Sequence, residues 1–406
     1  MIRHYLKLTW NRRRSNLLIA VEILLSFVVT FIVVTLAAHG ADNYRRPLGF
    51  EWRDAWNVIA YAQLGHPGEH GEEMPPEVLE TARQVFAAIR EFPEVESVGG
   101  TTCPPYGFSE WTSSSDIDGW HLRYGVNLAT DGLASALGLQ LTRGRWFDAR
   151  DDGAAWVPVV VNERLAAEVA RGGDPIGMSI PRKKEQDATE EPELRIVGVV
   201  GDFRQNGEFA TPQNYLFRRH RLDDATRRPP ENLIVRLRPG TTAAFEEKLV
   251  NRLQAVAPDW SFEVTPLEQM RETRFRMVLG PLIGAAVIAG FLLLMVAMGL
   301  TGVLWQTVTQ RTREIGLRRA KGATSGDIRK QVVGELLVLT LIAVAAGTAL
   351  ALQFPLLELT GPISGRVFAV GLLASAACIC ALTMACAWYP SLIATRVTPA
   401  EALHYE

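Results

Sequence analysis

The sequence predicts a membrane protein, a four-transmembrane-helix α bundle with a large α+β domain inserted between the first and second spans. Three observations predict it. Four apolar runs, Leu17–Ala38, Val278–Trp305, Val332–Phe354 and Val367–Trp388, each reach the roughly 20 residues needed to cross a bilayer. Residues 39–277, between the first two runs, are long enough to bury a core of their own and mix strand-like with helix-like periods. The segment between the second and third runs is short and basic. Thr309–Lys330 carries Arg311, Arg313, Arg318, Arg319, Lys321, Arg329 and Lys330 against only Glu314 and Asp327, the charge bias of a cytoplasmic loop.

Taken in order, residues 1–16 hold Arg3, Lys7, Arg12, Arg13 and Arg14, which places the N-terminus in the cytoplasm. The first span, residues 17–38, is followed by the small residues of Ala37–Ala41. Its apolar core is longer than the roughly 7–15 residues of a secretory signal, so an uncleaved anchor is expected. Glu22 falls early in this span, where a carboxylate pairs, snorkels or faces the bundle interior.

Residues 39–277 then lie outside. Val95–Thr101, Trp156–Asn162, Leu194–Phe203, Asn232–Arg238 and Trp260–Leu267 are β-branched or alternating and predict strands. Between them PPEVLETARQVFAAIREF, NERLAAEVA and TAAFEEKLVNRLQAVA have helical spacing with cap or proline signals at their starts. Pro181–Glu193 is a charged loop without apolar content. Arg271, Arg274 and Arg276 flank the second span on its outer side, which the charge rule tolerates beside a long exported domain.

In the second span, residues 278–305, Gly280 with Gly284 and Ala285 with Ala289 predict close helix packing in lipid. Residues 306–331 predict a helix, a tight stop and a second helix. Glu314 stands four residues before Arg318 in the favourable orientation, Gly322 suits a left-handed C′ position, and Thr324 can cap the next helix with Asp327 in its first turn. The third span, residues 332–354, contains Glu335, for which pairing with an elbow cation and simple snorkelling are both open. A turn at 355–366 outside, a fourth span at 367–388 and a cytoplasmic tail at 389–406 complete the chain. No polar stripe for a hydrophilic pore is visible.

Several chemistries are disfavoured. A net charge of −2, without a basic patch interleaved with aromatics, argues against nucleic-acid binding. Three of the four cysteines, Cys378, Cys380 and Cys386, fall inside one apolar run and leave Cys103 alone, so an internal disulfide is not expected. No GxxxxGK[ST] loop occurs to cradle ATP, and no G-x-S-x-G elbow suggests a hydrolase. His66 and His70 have metal-ligand spacing, but Pro67, Gly68 and Gly71 break the helix it needs. Ser113–Trp120 resembles the start of a calcium loop without its closing Glu, and predicts a turn.

QRTREIGLRRAKGAT, followed by a further helix and two spans, closely resembles the signature of the FtsX-like permeases, over residues 278–400. The ending Trp388–Glu406 is similar to that family's, departing at Ser391, Leu392 and Ile393. LGLQLTRGRWFDARDD, VPVVVNERLAA, GDPIGMSI and LRIVGVVGDFR resemble, in order, landmarks of the MacB-like periplasmic core domain, whereas about residues 42–90 carry no landmark of this kind. The resemblance implies a type VII ABC transporter permease in a bacterial inner membrane, multi-pass, with both termini cytoplasmic and the α+β domain periplasmic. It implies that a separate, dimeric ABC ATPase binds ATP and Mg, that this chain holds no cofactor and is not itself an enzyme, and that a second permease copy, identical or related, completes the complex. A periplasmic adaptor is a further partner. Arg311, Arg313, Glu314, Ile315, Gly316, Arg318, Arg319, Gly322 and Ala323 would then form the ATPase-coupling elbow. Glu314 would meet a basic residue of the ATPase, and Gly316 would admit its backbone. Mechanotransmission for export is the first reading, and an FtsX-type regulator that activates a periplasmic enzyme is the alternative.

Overall fold

The computed structural model describes residues 13–62, 74–117, 119–181, 193–310, 317, 318, 320–353 and 363–396. Helix α1 (Arg13–Tyr44) is the first described element and stays helical past its apolar run. Then follow β1 (Ala55–Ala62), α2 (Pro76–Arg90), β2 (Val95–Thr101), β3 (Thr112–Ile117), β4 (Trp120–Ala129), α3 (Leu133–Leu137), β5 (Leu141–Gly144), β6 (Val157–Asn162) and α4 (Glu163–Ala170). The α+β part closes with β7 (Ser179–Ile180), β8 (Leu194–Val200), β9 (Tyr215–Arg219), β10 (Asn232–Leu237), α5 (Ala244–Val256) and β11 (Trp260–Pro266). Three long helices remain: α6 (Leu267–Gln310), α7 (Ser325–Ala351) and α8 (Gly365–Arg396). The chain divides into two compact units, residues 1–42 with 278–406, and residues 43–277.

The second unit is built on a mixed sheet in the order β11-β1-β10-β2-β4-β9-β6-β8-β5, with β3 pairing β4 and β7 pairing β8. One half, β11-β1-β10-β2, is antiparallel throughout. Val58, Val235 and Val98 from its strands pack with Phe86 and Ile89 of α2 and with Phe245 and Leu249 of α5. In the other half β9 runs parallel to β4 and antiparallel to β6, and Val159, Val161, Ile196 and Leu216 bury against Leu165 and Val169 of α4. The two halves meet at a single β2–β4 pair, Thr101↔Ala129. Fully buried Asn127 reinforces that meeting, accepting from Thr101 Oγ1 (2.6 Å) and Cys103 N (3.1 Å) and donating to Cys103 O (2.9 Å).

Local chemistry accounts for the helix ends. Pro76 occupies the first turn of α2, where its missing N–H costs nothing. Asn162 leaves β6 extended and caps α4 by accepting from Leu165 N at 3.1 Å. Every strand expected from the sequence is present. β1, β3, β4, β5, β7 and β9 were not expected, and of Ser113–Trp120, expected as a turn, residues 113–117 belong to strand β3, with Ile117 paired to Trp120.

Among the described residues four helices are long and apolar enough to cross a membrane. Ile19, Ile23, Phe27 and Phe31 recur every fourth residue on α1 and bury against Val296, Leu300 and Leu304 of α6, Leu339 and Ala343 of α7, and Ile379 of α8. Glycines let α1 in. A Cβ at Gly347 would overlap the Phe27 ring, and one at Gly371 would overlap Thr35. The pair expected to do this, Gly280 and Gly284, has open space within 4 Å, so the close approach is made by other glycines. Small residues permit contact, but the helix face they occupy decides whether contact occurs.

Candidate functional site

The elbow is built from the end of one helix and the start of the next. Lys321 N donates to Leu317 O and to Arg318 O, both at 3.1 Å, and Ala323 N closes the turn on Arg318 O at 3.1 Å. That closure needs a left-handed residue between them, and Gly322 supplies it with φ +97. Thr324 then caps α7 in a reciprocal box. Its Oγ1 accepts from Asp327 N (3.2 Å), while the Asp327 carboxylate accepts from Thr324 N (3.1 Å). Two helices joined by a closed turn and a capping box form a stiff corner rather than a loose loop. Arg311, Arg313, Glu314, Ile315, Gly316 and Arg319 lie outside the described residues.

The corner is tied inward by side chains. Arg318 Nη1 donates to Gln331 Oε1, and Gln331 Nε2 donates to Glu335 Oε1 at 3.2 Å. Glu335 is thus reached from an elbow cation through an intervening amide, a link carried by Gln331 that sequence reading missed. Spacing was the available signal, because Gln331 and Glu335 are i, i+4 neighbours on α7. Arg329 stacks over the Trp388 ring of α8, with its guanidinium carbon 5.5 Å from the centroid. Half-buried Glu22 lies apart from this chain of contacts, against α6. A Cβ at Gly299 would stand 3.0 Å from its Oε2, so absence of a side chain there makes room for the carboxylate. Ile328 at the corner is 4 % exposed, whereas Leu317 is 56 % exposed and offers an apolar surface outward. Among the described residues no cluster of His, Cys, Asp and Glu suits a metal ion.

Four membrane-length helices among the described residues, a large α+β unit and a capped basic corner define a multi-pass membrane protein. The particular family follows from comparison with known proteins. A model described as MacB-like periplasmic core domain matches residues 23–252, and one described as FtsX-like permease C-terminal matches residues 286–399. The chain belongs to the MacB-type family of ABC transporter permeases with an FtsX-like C-terminal domain.

Among curated relatives, the Pyoverdine export ATP-binding/permease protein PvdT of Pseudomonas aeruginosa is 26% identical over 332 residues, covering 78% of this chain and 46% of the relative. The Macrolide export ATP-binding/permease protein MacB 1/2 of Paracoccus denitrificans is 26% identical over 325 residues, again 78% of this chain and 46% of the relative. The chain spans about half the length of the curated relatives it matches. Among solved structures, the periplasmic region of MacB from Actinobacillus actinomycetemcomitans aligns with a TM-score of 0.38 at 13% identity, covering 55% of this chain and 94% of that one.

Proposed function

We propose that this chain is the permease of an ABC exporter that works as a mechanical transmitter. An ABC ATPase supplied from outside residues 1–406 binds ATP and Mg, closes, and presses the corner around Arg311–Ala323. The four-helix bundle, spanning the inner membrane with both termini cytoplasmic, relays that motion to residues 39–277 in the periplasm. The observation that carries the reading is the stiff corner itself, where the Gly322 turn, the Thr324–Asp327 box and the Arg318–Gln331–Glu335 chain join the basic segment to α7. A push on such a corner moves the helix, whereas a push on a flexible loop is absorbed by the loop. No phosphate loop exists within residues 1–406, so ATP and Mg belong to the partner in this reading. The relatives' names record pyoverdine and macrolide export, which supports efflux of a small molecule. Two permease copies, identical or related, and a periplasmic adaptor complete the proposed assembly.

Gly316→Trp tests where the ATPase docks. Placed on the proposed contact, the indole should abolish co-purification with the ATPase while the solitary permease keeps its thermal stability in detergent. Normal binding together with normal ATP-driven export in that variant would remove the coupling role of the segment.

A further inference from the structure

Helices α1 and α6 lead into and out of residues 43–277, and both are bound there by one loop, Phe203–Ala210. Within it Arg204 is only 2 % exposed, and each of its guanidinium nitrogens donates to backbone. Nε donates to Pro47 O (3.0 Å), Nη1 to Asn43 O (2.8 Å), Glu208 O (2.9 Å) and Ala210 O (3.3 Å), and Nη2 to Arg46 O (2.8 Å). The carbonyls of Asn43 and Arg46 stand at and just beyond the C-terminal end of α1, where a cation is favoured. Asn43 Nδ2 returns a bond to Phe209 O at 3.0 Å.

The start of α6 is tied to the same loop. Arg271 Nε donates to Glu208 Oε1 at 2.5 Å, and Arg274 Nη2 donates to Asn206 Oδ1 (2.5 Å) and to Gly107 O (2.7 Å). These are two of the arginines that stand against the simple charge rule, and they are engaged by protein. Rings from all three segments meet. Phe209 lies 5.9 Å from Tyr44 of α1 and 4.8 Å from Phe275 of α6, centroid to centroid. At the loop's other end Phe203 is wedged into the sheet core, 4.7 Å from Tyr215 and 4.9 Å from Phe217 of β9.

A buried guanidinium costs several kcal/mol of desolvation unless its donors are met, so one that meets five carbonyls from two chain-distant segments works as an all-or-none fastening. We propose that loop Phe203–Ala210 is the joint through which α1 and α6 drive the sheet as one piece, with Arg204 as the positioning residue that fastens it. This rests on the mechanical-transmitter reading above. Without the joint, the ends of α1 and α6 would lose their ties to this loop, leaving α6 the packing of Leu267 and Met270 on the sheet core and the stacking of Arg271 on Trp52, and less of the motion at one end would reach the sheet.

The test uses the full chain with its ABC ATPase in lipid nanodiscs, spin-labelled at Glu168→Cys on α4 and Arg366→Cys on α8. Pulsed electron paramagnetic resonance reads the distance between labels with and without ATP and vanadate. The native chain should shift its distance distribution. Arg271→Met, which removes the ion pair from α6 to the loop and leaves the Arg204 bonds, and Arg204→Met should each reduce the ATP-shifted population about fivefold. Both variants should still co-purify with the ATPase. Arg204→Lys, whose ammonium reaches only some of the carbonyls, should fall between. If Arg204→Met does not fold, as judged by thermal unfolding of the full chain, Arg271→Met and Arg204→Lys decide the matter. A full shift in the folded variants overturns the joint and leaves the transmitter reading standing. No shift in the native chain overturns the transmitter reading itself, and the joint with it.

Discussion

His220, at the end of β9, is 2 % exposed, and neither ring nitrogen meets a partner among the described residues. Burial, then the neighbouring Arg227 and Arg218, hold its pKa down to about 4, with Asp224 as the opposing charge. The folded state therefore binds fewer protons than the unfolded state between pH 6.5 and about 4. Stability is fully present above that window and falls as pH drops through it. At about 1.4 kcal/mol for each tenfold change in proton affinity, the loss reaches at most about 3 kcal/mol. Thermal unfolding of the full chain at pH 7.5 and pH 5 should show this drop, and His220→Leu should remove most of it. An unchanged slope in the variant would assign the acid sensitivity elsewhere. Residues of this kind were not legible in the sequence. Nothing in the sequence singles out Arg204, Arg219 and Arg236, yet Arg236 donates to the carbonyls of Glu51, Arg53 and Ala136, and Arg219 is held by Asp131 and Asp152. Their partners stand far away along the chain, and no local pattern announces a carbonyl that a later arginine will need.

At the scale of elements, legibility followed chemistry. The strands β2, β6, β8, β10 and β11 announce themselves by β-branched runs. β3, TSSSDI, and β4, WHLRYGVNLA, are too polar for that signal, and the informative feature was the Asp118-Gly119 pair between them, a favoured two-residue hairpin sequence. β9, YLFRR, ends in two arginines whose burial was not foreseeable from composition. In the membrane helices the spans were plain, but the interface glycines were not, because several glycines satisfy the same spacing. Phe27 and Thr35 choose among them. Gly347→Ala should accordingly cost about 1–3 kcal/mol, read as a lowered melting temperature in detergent, since the Phe27 ring must move. Gly280→Ala, facing open space, should stay within about 0.5 kcal/mol of the parent in the isolated chain. Equal losses at both positions would refute the seating of α1 on Gly347.

For the whole molecule, the order of spans and charges was the most readable property, because hydropathy and loop charge act over stretches rather than single contacts. The proposed orientation makes a direct prediction. A cysteine at Glu246 on α5 should react in intact cells with a membrane-impermeant thiol reagent, whereas one at Lys330 should react only after the membrane is opened. The reverse pattern would invert the topology and move the corner away from any cytoplasmic ATPase. The coupling residues themselves were legible only as a family signature, since charge alone does not distinguish a docking corner from a topology signal. The corner's stiffness was partly legible, because Gly322, Thr324 and Asp327 are turn and cap residues wherever they occur.

The placement of β1 between β10 and β11 also bears on how the protein is made. Ala55 faces Arg236 and Trp56 faces Pro266, so the first strand to leave the ribosome waits for both its neighbours until the last part of the domain has been synthesised. At about 5–20 residues per second that interval is roughly ten to forty seconds, during which an apolar strand has no ladder on either side. The domain cannot mature progressively from its N-terminal end. Its completion coincides with arrival of β11, immediately ahead of α6, so that, in the proposed orientation, export of the domain and insertion of the second membrane helix become consecutive events. A nascent chain stalled before residue 260 would leave β1 without its β11 partner, an unpaired strand edge of the kind that templates wrong pairing.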